Sequence, residues 1–328
     1  MHSEATSTNR SPKSNLTVLD ELRAFWRSQP AKTLFVSLLV PWCLLFHFLG
    51  NSTYTYVDTH SLFGWMKYVF TTSPDDDYCM YIPLVVLALL CWKRDELKRV
   101  SKAFWWPALG LIALGLFIHI IGFMIQQARV SIVGFLLGLY GLTGLVWGKS
   151  WLRATFFPMF LLGFCIPLGT VAEVITLPLR KAVTFISVGI GHGLLGIDVQ
   201  QNGSQILDGY GRPLYDVAPA CSGIRSLISL LALSTIYAFM TFQSAWKRLV
   251  IILMAFPLAV LGNVTRISIV ILVGELFGQK AGTLIEQKLG FLTFIIAVGG
   301  IMLMGRVVRD RVAASAPPVP DGLKESVA

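Results

Sequence analysis

A chain of 328 residues has room for two or three soluble domains. However, 55% of it is hydrophobic and only 14% is charged, with mean hydropathy +0.67. That composition excludes an ordinary water-soluble protein, and apolar runs of bilayer length predict a single all-α polytopic membrane domain. The net charge of +9 does not point to a nucleic-acid partner, because the basic residues punctuate the apolar runs instead of forming one patch.

Residues 1–33 are polar, carry five basic residues and precede the first apolar run. They are too long and hydrophilic for a cleavable signal, so the first helix is predicted to stay as an anchor behind a cytoplasmic N-terminal segment. The membrane domain is placed at 34–309, with a disordered cytoplasmic tail at 310–328.

About eight transmembrane helices are predicted: Leu34–Leu49, Cys79–Trp92, Trp106–Ile125, Val130–Val146, Thr155–Val171, Ile224–Phe242, Leu249–Phe277 and Phe291–Val308. The seventh is long and interrupted by Pro257 and Gly262-Asn263, which predicts a kink or tilt. With the N-terminus cytoplasmic, cytoplasmic segments collect 18 Lys/Arg and exterior segments 7. That asymmetry sets the orientation and returns the C-terminus to the cytoplasm. Exterior residues 172–220 form a small cap segment between spans five and six. Its first part, Leu177–Leu195, is amphipathic and expected to lie along the membrane surface. Gly196–Tyr215 alternates like a hairpin.

Two of the 27 basic residues, Arg225 and Arg266, fall within the outer halves of predicted spans. Ionisable groups there are costly, about 2.5–3.5 kcal/mol at the centre of a helix on insertion scales. Arg225 follows Cys221 by four residues in Ala-Cys-Ser-Gly-Ile-Arg-Ser-Leu, so both share one helical face. Asn263 precedes Arg266 by three and shares its face. The topology thus gathers Cys221, Ser222, Arg225, Asn263 and Arg266 at similar depth near the exterior. A cysteine beside guanidinium groups has its thiolate favoured and becomes a nucleophile, and arginine stabilises an oxyanion. Plainer readings stand beside this one. Cys221 is also readable as a small buried hydrophobe or as a disulfide partner of Cys79, and Arg225 as a snorkelling residue. No metal or cofactor is expected: no His/Cys cluster has ligand spacing, and Asp75–Asp77 read as a solvated or helix-capping run.

The block Val217-Ala-Pro-Ala-Cys-Ser-Gly-Ile-Arg-Ser-Leu227, followed by Asn263-Val-Thr-Arg-Ile267, closely resembles the exosortase/archaeosortase family. The resemblance runs from about Tyr78 to Val308. It implies a membrane-embedded cysteine transpeptidase in the cytoplasmic (inner) membrane, with its site facing the exterior. Its substrates would be exported proteins ending in a short motif, a transmembrane helix and a basic cluster, as in PEP-CTERM sorting. Cys221 would form the thioester, Arg266 would assist it, and a membrane lipid or envelope polysaccharide would accept the acyl group.

One departure is visible. The family's third residue, usually His four residues before a Gly, is Glu286 in Ile285-Glu-Gln-Lys-Leu-Gly290. Glu286 is readable as a general base or as a solvated loop carboxylate. His192 and His60 are the other exterior imidazoles, each also readable as interfacial. The missing His keeps open a non-catalytic binding or assembly role in envelope export. A transporter reading lacks paired broken helices in the two halves.

Overall fold

The computed structural model describes residues 18–53, 57–216 and 224–313. Its helices begin with α1 (Val18–Arg27), α2 (Lys32–Phe48), α3 (Leu62–Thr72), α4 (Ile82–Trp92) and α5 (Arg94–Arg99). They continue with α6 (Ala108–Met124), α7 (Ala128–Trp147), α8 (Lys149–Leu161) and α9 (Gly169–Gly193). Strands β1 (Val199–Asn202), β2 (Gln205–Asp208) and β3 (Pro213–Asp216) come next. The chain then forms α10 (Ile224–Thr241), α11 (Ala245–Leu253), α12 (Ala255–Phe277), α13 (Gln279–Lys288) and α14 (Gly290–Ala313).

The architecture is that of an all-α membrane protein with a small sheet. Among the described residues, α7, the run α11–α12 and α14 are long and apolar enough to cross a bilayer. Shorter apolar helices cover Lys32–Phe48, Asp77–Trp92, Ala108–Met124 and Leu227–Thr241. Seven of the eight predicted spans therefore coincide with apolar helices. The fifth, Thr155–Val171, does not: it is divided among α8, a 3-10 turn at Leu162–Cys165 and the start of α9. The expected interruption of the seventh span also moves. The break falls at Met254, Pro257 occupies the first turn of α12, and Gly262-Asn263 lies in unbroken helix. Proline fits a first turn because its missing N–H has no intrahelical acceptor there.

The chain divides into two compact units, Met1–Trp65 with Pro83–Gly163, and Met66–Ile82 with Phe164–Ala328. In the first, α6 and α7 form a tight helix pair whose contact is made by glycines. A Cβ at Gly115 would stand 2.7 Å from the Gly134 carbonyl, and one at Gly134 would stand 2.5 Å from that of Gly115. Small residues let helix backbones approach this closely where lipid supplies no hydrophobic drive. His119 is buried in this pair, with Nδ1 3.1 Å from Ser131 Oγ.

The second unit is built around α12. Its core joins Val183 of α9, Val199, Ile206 and Tyr215 of the sheet, and Val264, Ile267, Val270 and Ile271 of α12. A second core joins Leu227 and Leu230 of α10, Ala255 and Ala259, and Ala297 and Ile301 of α14, with Leu179 of α9 packed against it. Gly191 lies at the other end of α9, where a Cβ would meet Ile271 Cγ2 at 3.7 Å. Helices α9 and α12 therefore run side by side in the same direction. Most of the amphipathic stretch Leu177–Leu195 lies in this 25-residue helix, which packs along α12.

The cap is real. Strands β1, β2 and β3 form an antiparallel sheet in that order, with Val199 opposite Asp208 and Ile206 opposite Tyr215. The alternation read from the sequence works because Val199, Ile206 and Tyr215 all turn into the core of this unit.

Candidate active site

Asn263 and Arg266, one turn apart on α12, are each only 5% exposed. Their depth follows from the packing of this helix. Gly262 lies against α14, where Thr293 Oγ1 donates to the Gly262 carbonyl at 3.5 Å and a Cβ would stand 2.9 Å from the Thr293 carbonyl. The next turn of α12 is thereby held inside the unit.

Arg266 reaches across to α13, where Nη2 donates to the main-chain carbonyl of Glu286 at 2.5 Å. Two of the residues singled out in the sequence, twenty positions apart, are thus joined. The turn between their helices is made by Gly278, whose φ of 87° suits glycine. It lets the chain reverse from α12 into α13, bringing the half-buried Glu286 back beside α12.

The cap locks this elbow. The Tyr215 hydroxyl packs against Gly274 of α12 and Gly282 of α13, leaving no room for a Cβ at either position. Gln279 Nε2 donates to the Leu214 carbonyl at 3.0 Å. Burial raises the Tyr215 pKa, and the nearby charges of Glu286 and Glu275 raise it further. The carboxylate at the third motif position is therefore close enough to the cap tyrosine to act on it electrostatically.

Other predicted residues fall elsewhere. Cys221 and Ser222 lie outside the described residues, and Arg225 is described only as a backbone position in the first turn of α10. His192 is exposed in the last turn of α9, and His60 is exposed in the first unit, where its carbonyl accepts from Asn51 N at 2.9 Å. Cys79 is fully buried and donates through Sγ to the Phe164 carbonyl at 3.4 Å. Asp76 is buried and accepts from Ser73 Oγ at 2.9 Å, so the middle of the acidic run serves a local turn and is not solvated.

Sequence reading missed Arg180 and Tyr215. Arg180 was assigned to an exterior segment, yet it is 6% exposed within α9. A signal was present: Thr176, Arg180, Thr184 and Ser187 are spaced by four, four and three, which marks one helical face.

A model of the transmembrane exosortase family matches residues 65–303, well over half of the chain and a stretch that includes every candidate residue from Cys221 to Glu286. No curated protein and no solved structure matches it. With a buried Asn263–Arg266 pair tied to Glu286 inside that stretch, the chain belongs to the transmembrane exosortase family.

Proposed function

We propose that this protein is a membrane-embedded cysteine peptidase or transpeptidase that processes the C-terminal sorting tail of exported proteins at the exterior face of the cytoplasmic membrane. The observation that carries this reading is the buried Arg266 held against the backbone of Glu286. A guanidinium this deep is costly without a task, and its two partners in the motif are a carboxylate and a cysteine. Exosortases in general are transpeptidases.

In the proposed reaction the Cys221 thiolate attacks the acyl carbonyl at the cleavage point. The C–N bond breaks, the departing amine takes a proton, and the acyl group remains as a thioester on Cys221. Arg266 favours the thiolate and stabilises the tetrahedral oxyanion. Glu286 accepts the proton of the incoming nucleophile, which is water or a hydroxyl or amine of a membrane lipid or envelope polysaccharide. Attack by that nucleophile releases the thiolate. Asn263, Arg225 and Ser222 support the site.

The test is an immunoblot of a tagged, tail-bearing protein expressed with wild type, Cys221→Ala or Arg266→Ala. Shortening by wild type and by neither variant supports the enzyme. An intact substrate with wild type favours the non-catalytic binding role instead, and unchanged shortening by Cys221→Ala rejects the mechanism.

A further inference from the structure

We infer that the apolar cavity walled by α1, α4, α7 and α8 binds one anionic phospholipid with a hydroxyl-bearing headgroup, of the phosphatidylglycerol type. An acyl chain fills the cavity, a headgroup hydroxyl donates to Gln29, and the phosphate meets a basic rim that includes Lys32 and Lys102. The site lies wholly within the first compact unit and does not depend on the proposed peptidase reaction.

The cavity measures about 400 Å³, within the range of small-ligand sites. One wall is a run of aromatic rings. Phe35 and Trp147 lie 4.6 Å apart between ring centroids, and Trp147 and Trp151 lie 4.7 Å apart. Trp147 Nε1 donates to the Pro30 carbonyl at 2.9 Å, which fixes the corner between α1 and α2 against this wall. Away from that corner the lining is aliphatic, with Leu87, Leu90 and Met159. Thr143 and Thr155 turn their hydroxyls back to the carbonyls of Tyr140 and Trp151, at 2.7 and 2.8 Å. They therefore leave the cavity apolar. From Trp151 to Met159 the lining follows eight residues of α8, about 12 Å, which suits an alkyl chain.

Gln29 is the exception in this lining. It is 4% exposed, and its Nε2 donates to the Phe25 carbonyl at 3.1 Å, while its Oε1 is buried with no hydrogen-bond partner. A buried amide oxygen in that state is costly and calls for a donor. A headgroup hydroxyl supplies one, and a choline headgroup, with neither N–H nor O–H, does not.

Cations stand at the same end. Lys102 Nζ lies 5.4 Å from the centroid of the Trp151 ring, and Lys32 Nζ donates to the Arg27 carbonyl at 3.3 Å, two residues before Gln29. Neither lysine has a carboxylate partner among the described residues. Residues 92–104 and 147–154, which flank the cavity, together carry seven basic and two acidic residues. This is the end read as cytoplasmic from the Lys/Arg asymmetry, where basic segments beside apolar helices attract anionic lipid. Tryptophans such as Trp26, Trp147 and Trp151 favour the headgroup level of a bilayer. Charge, a missing donor and an apolar recess thus select one lipid class together.

The test uses the full chain in phosphatidylcholine nanodiscs that contain a trace of phosphatidylglycerol with a diazirine in its acyl chain. After illumination, the labelled peptides are mapped by mass spectrometry. Adducts should concentrate on residues 87–91 and 155–159, and excess unlabelled phosphatidylglycerol should suppress them about fivefold or more relative to excess phosphatidylcholine. Adducts spread evenly over the apolar helices, or equal suppression by both lipids, mark bulk bilayer lipid and overturn the site. Gln29→Leu, with a melting temperature at or above that of wild type, should lose most of the labelling. In Lys32→Gln/Lys102→Gln it should fall about fivefold or more. Labelling unchanged in both variants overturns the headgroup assignment. The competition in wild type needs no substitution, so it decides the site even where a variant does not fold.

Discussion

Arg266 Nη2 donates to the main-chain carbonyl of Glu286 at 2.5 Å, so a 5%-exposed guanidinium on α12 is fastened to the backbone of a half-buried residue on α13. The bond fixes the distance between two motif positions without using the Glu286 side chain. It therefore lets the structural and chemical contributions of Glu286 be separated by mutation.

Glu286→Gln should keep the Arg266 bond, because the acceptor is the main chain. A melting temperature close to wild type is expected, with processing reduced at least tenfold, the low end of what general acid–base groups contribute. Wild-type processing by Glu286→Gln would remove the carboxylate from the mechanism.

Arg266→Gln should lose processing and about 1–3 kcal/mol of stability, since a buried guanidinium and its bond to the Glu286 carbonyl are both lost. Arg266→Lys should not restore activity, because a single ammonium cannot reproduce the planar fork of a guanidinium. Processing assays and thermal unfolding in detergent read both effects, and a fully active Arg266→Lys would contradict the geometry.

The cap and the α12–α13 elbow should be energetically coupled through Tyr215. Gly274→Ala drives a methyl into the Tyr215 hydroxyl and is expected to cost about 1–3 kcal/mol. Tyr215→Phe removes the clashing atom, so the double variant should be more stable than the sum of the single effects predicts, by about 0.5 kcal/mol or more. Additive unfolding energies would show that the hydroxyl does not sit in this cradle.

The turn between β2 and β3 should depend on pH through Asp208. Its Oδ1 accepts from the Arg212 and Tyr210 N–H groups at 2.8 and 3.0 Å, and its Oδ2 from Arg212 Nε at 3.0 Å. The Arg212 N–H bond foremost holds the carboxyl below its usual range. A depressed folded pKa gives stability that is present above the unfolded value, near 3.9, and lost as pH falls through the folded one. Hydrogen exchange of residues 205–213 should be faster in Asp208→Asn than in wild type at pH 6, with the difference shrinking at about pH 3. Equal exchange at pH 6 would refute this.

Most of the fold was legible because each apolar run had to satisfy its backbone within itself, and seven runs did so as helices. The cap hairpin was legible from Val199, Ile206 and Tyr215, whose alternation reflects a one-sided sheet. Helix α9 was harder to read because Glu173, Arg180, Lys181 and Thr184 lower its hydropathy and give it the pattern of a surface helix. Only the packing of α9 along α12 shows that Arg180 and Ser187 are buried. The break at Met254 carries no glycine or proline at that position, so it left no local mark. Arg266 announced itself as a charge in an apolar run. Its acceptor did not, because a main-chain carbonyl has no side-chain signature.

The most direct measurement of the central claim is a search for the acyl-enzyme. Wild type and Cys221→Ala are each incubated with a tagged tail-bearing substrate, denatured, and separated without reducing agent, with and without neutral hydroxylamine. A substrate–protein adduct that forms with wild type, disappears with hydroxylamine and is absent from Cys221→Ala is the predicted result. Processing that proceeds with no such adduct, or an adduct that persists in Cys221→Ala, would contradict catalysis through a Cys221 thioester.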